Sequence, residues 1–307
     1  MPTAPPETPV AAAPSRLRAV VRALRPYQWT KNLLVFLPLV MAHRLTEAAL
    51  LGEAALAFVA LSLCASGTYV VNDVLDREWD RRHPQKRHRP FAAGTLSAAV
   101  GLALAPALVA AGFALALLTL PLPFAGVMAV YLGVTLAYSL RLKRVPALDV
   151  VLLGGLYTLR VLGGGAATGI PVSEWLLAFS LFTFLGLALL KRYAELRLME
   201  TDPRAHDNGR GYAVEDVAML RAIGPATGIM ALLVLALYIT NPEVTALYDH
   251  PERLWLVAPL LFYWTMHLWL TAHRRAMPDD PLLYAVKDPV SYLVGALAAG
   301  VLVLASV

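Results

Sequence analysis

Four side chains near the end of an apolar stretch could do chemistry together. Asn72, Asp73, Asp76 and Asp80 stand in the segment NDVLDREWDRRHPQKRHRP. The aspartates are spaced i, i+3 and i+7, which on a helix turns them to one face as a single acidic stripe. Six cations follow directly: Arg77, Arg81, Arg82, Lys86, Arg87 and Arg89. Carboxylates at a helix C-terminus meet the negative end of the macrodipole, at a cost of a few tenths to about 1 kcal/mol each, so something positive must compensate. Two compensations are open. The basic run can pair with the aspartates and touch anionic lipid. Alternatively, Mg²⁺ can sit on the stripe, since it takes one or two carboxylates together with phosphate oxygens and water, while arginines grip the remaining phosphate oxygens.

The elements that must position these groups are membrane helices. The chain has 307 residues, 58% of them hydrophobic and only 15% charged, against roughly 25% charged in soluble domains. Nine apolar stretches of bilayer-spanning character lie near residues 27–43, 54–75, 98–120, 123–140, 147–167, 173–190, 217–240, 254–271 and 290–306. The first is broken by Pro38 and needs its Tyr27 and Trp29 end to reach across; a re-entrant segment is the alternative. Residues 1–15 are Pro/Ala-rich and are expected to be a disordered tail, with residues 16–307 forming a single membrane domain. SRLRAVVRALRPYQW is basic and amphipathic and reads as an interfacial helix; no cleaved signal peptide is expected. The lone Cys64 falls inside a span and indicates neither an intrachain disulfide nor redox chemistry.

Charge placement predicts orientation. With nine spans, the N-terminal segment and the even-numbered loops share one face, which carries 23 of the 26 Lys/Arg residues. The positive-inside rule puts that face in the cytoplasm and the C-terminus outside, in the inner (plasma) membrane. The same face holds 15 of the 21 acidic residues. Topology explains the positive excess but not the carboxylates crowded into it.

NDVLDREWD matches the N-D-x-x-D-x-x-x-D motif of the UbiA superfamily of intramembrane prenyltransferases, which the chain resembles over nearly its whole length. The resemblance implies an all-α bundle of nine transmembrane helices with a cytoplasmic-face active site. It also implies Mg²⁺ on the Asp motif and a prenyl chain in a lipid-facing groove. One departure is informative. Where the family has a second D-x-x-x-D motif, this chain has KRYAELRLMETD, with Lys191, Arg192 and Glu195. Together with RPYQWTKN, HPQKRHRPFAAG, YSLRLKRVPALD and LRVLGGGAATG, that segment resembles the branch of decaprenyl-phosphate phosphoribosyltransferases. The branch implies a different donor, phosphoribosyl pyrophosphate, and a polyprenyl monophosphate acceptor. Three phosphate-bearing positions then call for more cations and fewer carboxylates. Asp73, Asp76 and Asp80 are the expected catalytic metal ligands. Lys31, Asn72, Arg82, Lys86, Arg89, Lys143, Arg160, Lys191, Arg192 and Glu195 are the expected substrate-binding residues. Prenyl transfer from a prenyl diphosphate to an aromatic or quinone acceptor is the competing reading, and a transporter or channel is a third.

Arg160 is the main support for the third. It lies well inside the fifth span, where a charge costs at least about 2.5 kcal/mol, so it must face a polar cavity or an acidic partner. Glu195 admits three roles: joining the metal site, orienting Lys191, or pairing on a solvated helix end. Asp149 reads as a helix-dipole partner, and GGG at 163–165 as close helix packing or a flexible break. His83 and His88 read as solvated loop residues, and Asp279, Asp280 and Asp288 as weak metal candidates. The segment 191–216 is long enough to be a lid over the donor or a disordered loop. Membrane lipids are expected neighbours, no nucleic-acid partner is expected, and a homo-oligomer stays open.

Overall fold

The computed structural model describes residues 16–82, 86–200, 210–274, 277 and 281–306. The expected tail over 1–15, His83, Asp279, Asp280 and residues 201–209 of the expected loop lie outside that set. Among the described residues every regular element is helical. α1 (Arg16–Leu24) leads into a 3-10 helix (Pro26–Phe36) and α2 (Leu37–Met41). Then come α3 (Ala48–Leu75), α4 (Arg77–Arg82), α5 (Ala98–Thr119), α6 (Leu122–Leu140), α7 (Leu148–Thr168) and α8 (Glu174–Met199). The order finishes with α9 (Val217–Ile239), α10 (Pro242–Thr245), α11 (Val257–His273), α12 (Pro281–Ala285) and α13 (Pro289–Ala305). Seven helices are long and apolar enough to cross a bilayer; α13 is a shorter apolar one.

α1 is amphipathic as its sequence predicts. Ala19 and Ala23, one turn apart, are buried in a cluster with Val70 of α3, and Arg16, Arg18 and Arg22 point outward. The first apolar stretch is not an ordinary α-helix. Pro26 starts it, Pro38 cannot donate a backbone hydrogen bond, and eleven residues wind as a 3-10 helix. At about 2.0 Å per residue in that form and 1.5 Å in α2, the pair reaches roughly 30 Å with only sixteen residues.

Small residues set how closely the helices approach. A Cβ on Gly67 of α3 would come within 2.8 Å of the Ala105 carbonyl oxygen of α5, and one on Gly112 of α5 within 2.8 Å of the Ala60 oxygen. The backbones therefore touch, as is common between membrane helices. α7 is the most enclosed of the spans. Its Gly164 lies so near the 3-10 helix that a Cβ would sit 2.0 Å from the Val35 oxygen. The glycine triple is thus a packing device within an unbroken helix, not a flexible break.

Two helix ends differ from the sequence expectation. α3 stops at Leu75, and Asp76 caps it at φ −88, ψ 3 before α4 resumes. The aspartates therefore do not lie on one uninterrupted stripe. α8 runs on past residue 190 to Met199, so Lys191, Arg192 and Glu195 are helical, held by burial of Tyr193, Leu196 and Met199.

Gly164→Ala should destabilise the protein by about 1–3 kcal/mol through overpacking against the Val35 carbonyl. Gly155→Ala, at a position with nothing within 4 Å, should stabilise it by about 0.5–1 kcal/mol through backbone entropy. Unfolding of both variants in detergent checks the opposite signs.

Candidate functional site

The acidic and basic groups converge where α3, α7 and α8 end or begin on one face. Asp73 is buried and accepts hydrogen bonds from Arg25 Nη2 at 2.5 Å and Arg89 Nη1 at 3.2 Å. Arg89 also donates to Asp80 Oδ2 at 2.7 Å, so one guanidinium bridges two of the motif's carboxylates. Asp76, at the junction of α3 and α4, pairs with Lys143 at 3.3 Å. Among the described residues, no three acidic, thiol or imidazole side chains gather as a metal cage. Two buried acceptors nevertheless have no hydrogen-bond partner, Asn72 Oδ1 and Asp73 Oδ2.

Arg25 was not legible as a site residue in the sequence. It sits between α1 and the 3-10 helix at φ 52, ψ 56, a left-handed conformation that costs a non-glycine residue about 1–3 kcal/mol. Pro26 restricts its backbone, and its ion pair with Asp73 holds the turn. The dipeptide Arg-Pro at the end of an amphipathic helix was the available signal.

A second cluster lies on α7 and α8. Arg192 Nε donates to Asp149 Oδ2 at 2.5 Å, Nη1 donates to Glu195, and Nη2 donates to Tyr138 Oη at 3.1 Å. The Arg192 and Asp149 side chains are 1% and 0% exposed. Tyr212 donates to Asp149 Oδ1 at 2.6 Å and accepts from the Ala147 amide at 2.9 Å, while Arg210 donates to Tyr138 at 3.2 Å. Asp149 is therefore an ion-pair partner as well as a first-turn acid of α7. Burial first, then the hydrogen bond to Asp149, push the Tyr212 phenol above the ordinary tyrosine value.

Lys86 joins the clusters. Its ammonium lies within electrostatic reach of Arg89 and Asp80 on one side and of Arg210 and Glu195 on the other. Burial first, then the Arg89 charge, hold its pKa below the usual lysine value. Lys191 lies within electrostatic reach of Glu195. Arg82, Arg87 and His88 are exposed at the rim.

Arg160 does not join this face. It lies about 16 Å along α7 from Asp149, at 1.5 Å per residue. Nε donates to Asn32 Oδ1 at 2.8 Å, Nη1 to the Leu156 carbonyl at 2.5 Å and Nη2 to Tyr131 Oη at 3.0 Å. Asn32 in turn donates to Ser62, and the Tyr131 and Tyr157 rings lie 4.9 and 5.3 Å from the guanidinium. Its neighbours are polar and aromatic; no described carboxylate pairs with it. Lys31, next to Asn32, is buried. Asp288 caps α13 by accepting from the Ser291 amide at 2.9 Å, which accounts for it without a metal.

Because Arg192 and Asp149 are both out of water, removing one leaves the other uncompensated. Arg192→Met should cost about 3–5 kcal/mol in detergent unfolding, and Arg192→Met with Asp149→Leu should recover part of it. A loss in the double variant equal to the sum of the losses in the Arg192→Met and Asp149→Leu single variants would refute the coupling.

A model of the UbiA prenyltransferase family matches residues 33–282. "Uncharacterized protein y4nM" of Sinorhizobium fredii is 39% identical over 92% of this chain, which spans only 55% of that protein's length. Nodulation protein NoeC of Azorhizobium caulinodans is 36% identical over 87% of the chain and 86% of its own length. Decaprenyl-phosphate phosphoribosyltransferase of Mycobacterium tuberculosis is 41% identical over 63% of the chain and 66% of its own. Among solved structures, a UbiA homologue of Archaeoglobus fulgidus bound to DMAPP and Mg²⁺ superposes with a TM-score of 0.68 at 17% identity. That likeness covers 92% of this chain and 98% of the other. The all-helical fold, its apolar spans and the match over residues 33–282 agree: the chain is an integral membrane protein and belongs to the UbiA prenyltransferase family.

Proposed function

We propose that this transferase moves 5-phosphoribosyl from phosphoribosyl pyrophosphate to a decaprenyl-like polyprenyl monophosphate, releasing diphosphate. Such a product would precede a cell-wall arabinan-type sugar donor. One observation carries the reading. On the α8 side of the site the two acids facing the cations, Asp149 and Glu195, both pair with Arg192, and Glu195 also stands 3.8 Å from Arg210, with Lys191 and Lys86 in electrostatic reach. That side is net positive and has no carboxylate to spare for a second cation. A donor with phosphate at both ends suits it better than a prenyl diphosphate does. The mycobacterial relative's name supports the same reaction, within the 63% of the chain it matches.

Mg²⁺ is the metal that the Asp motif fits. Asp73 and Asp80 lie close enough to share one guanidinium, and the two unpartnered acceptors of Asn72 and Asp73 are oxygens, the ligands a hard cation prefers. Asp73, Asp80 and Asn72 would hold it, with Asp76 beside them, and the ion would stabilise charge on the departing diphosphate. Arg25, Arg89, Lys86 and Lys191 would bind the phosphate oxygens and fix the ribose against the acceptor. A phosphate oxygen of the lipid attacks ribose C1, the C1–O bond to diphosphate breaks, and the electron pair leaves with diphosphate. The acceptor phosphate is already ionised near pH 7, so no strong general base is required. Positioning and preorganised charge carry the rate. The site is read as cytoplasmic, in a single domain of the inner membrane with the N-terminus inside, on the strength of the basic residues gathered at that face.

Prenyl transfer to an aromatic or quinone acceptor is the second reading. It is favoured by the family description and by the Archaeoglobus neighbour, whose fold is shared and whose ligand is DMAPP. Purified protein with Mg²⁺, labelled phosphoribosyl pyrophosphate and a polyprenyl phosphate should move label into the organic phase. No such transfer, with turnover of a prenyl diphosphate and an aromatic acceptor instead, overturns the proposal. Asp80→Asn should lower Mg²⁺-dependent turnover by roughly 10²-fold or more and weaken Mn²⁺ binding read by electron paramagnetic resonance. Full activity with unchanged Mn²⁺ binding would remove Asp80 from the metal site.

A further inference from the structure

Behind the charged cluster, on the other side of α8, a seam opens between α8, α9 and α11. Tyr193 follows Arg192 in the chain and is therefore rotated about 100° around the helix from it. It faces α11, where its hydroxyl lies 2.9 Å from His273 Nδ1 and its ring centroid 5.5 Å from that of Trp269. A groove of about 280 Å³ runs past Arg221, Pro225, Met266, Leu270 and His273. Beyond it lies a small cleft of about 40 Å³ lined by Phe179, Leu187, Ala231, Leu261 and Leu268 among others. The two share Trp269, whose indole is accommodated by Gly224: a Cβ there would come within 1.9 Å of the ring.

The chemistry changes along the seam. Its mouth carries the exposed Arg221 and His273, with Arg274 next in the chain. Its inner part is hydrocarbon apart from threonine hydroxyls and the Trp264 indole, and no carboxylate lines either cavity. From Arg221 to Leu232 it extends about 16 Å along α9, half of the roughly 30 Å hydrocarbon core. A cationic mouth beside an open apolar groove complements one kind of molecule.

We propose that this seam binds one anionic membrane phospholipid, with its phosphate at Arg221 and His273 and an acyl chain lying in the groove along Pro225, Met266, Trp269 and Leu270. The site is separate from the transferase centre, because Tyr193 turns toward α11 while Arg192 turns toward Asp149 of α7. It stands whichever reaction the centre performs.

The test is lipid retention in native mass spectrometry of the intact chain in detergent, with phosphatidylglycerol and phosphatidylcholine of identical chains. The wild type should retain phosphatidylglycerol in preference to phosphatidylcholine. Arg221→Gln, at an exposed position that folding does not depend on, should lower that retention roughly fivefold and leave phosphatidylcholine unchanged. Phosphatidylglycerol brominated in its chains should quench wild-type tryptophan emission more than that of Trp269→Phe. Equal retention of the two lipids, or retention unaffected by Arg221→Gln, overturns the proposal. A dimer in place of a lipid adduct, or exclusive retention of a polyprenyl phosphate, would overturn it as well.

Discussion

A guanidinium and a carboxylate, both out of water, hold the charged face of this protein together. Arg192 of α8 and Asp149 of α7 have almost no exposed side-chain surface, and their desolvation is offset only because every neighbour contributes. Asp149 takes hydrogen bonds from Arg192 and Tyr212, and Arg192 donates to Asp149, Glu195 and Tyr138. A buried pair of this kind adds little net stability over apolar packing. What it does is set position. It fixes the register of α8 against α7 and keeps α8 helical beyond the apolar span. It also aims Tyr193 at α11 while Lys191 stays near Glu195.

The same constraint shapes the other half of the site. Asp73 ends a membrane helix, where the dipole disfavours it, and is compensated by Arg25 and Arg89. Arg25 reaches it only through a left-handed backbone turn. Strain in the turn and the ion pair are two sides of one device. Lys86 then lies between both halves, feeling Asp80 and Arg89 from one and Glu195 and Arg210 from the other. The two functional segments meet through this lysine, although more than a hundred residues separate them in the chain.

Much of this was legible in the sequence, and the exceptions have physical causes. Hydropathy located the spans because bilayer thickness sets helix length, and residue spacing marked Asp73, Asp76 and Asp80 as a unit. KRYAEL marked the replacement of acids by bases. Periodicity does not say which neighbour a helix face meets. Arg192 is expected as a phosphate ligand, and three of its five donors go to Asp149, Glu195 and Tyr138. Arg160 is expected to face a polar cavity or an acidic partner, and the groups it meets, Asn32 and Tyr131, come from distant segments. Asp76 was placed on the stripe because a helix end cannot be located to the residue from propensity. Arg25 escaped because its role depends on a turn, not on a repeat.

The central claim is that the cations on α8 and the adjoining loops select the donor. Equilibrium titration of purified protein in Mg²⁺ with phosphoribosyl pyrophosphate, in the presence and absence of a prenyl diphosphate, measures that selection directly. Saturable binding of phosphoribosyl pyrophosphate that excess prenyl diphosphate does not displace is the expected result. Tighter binding of the prenyl diphosphate, with phosphoribosyl pyrophosphate unable to compete, would contradict the account.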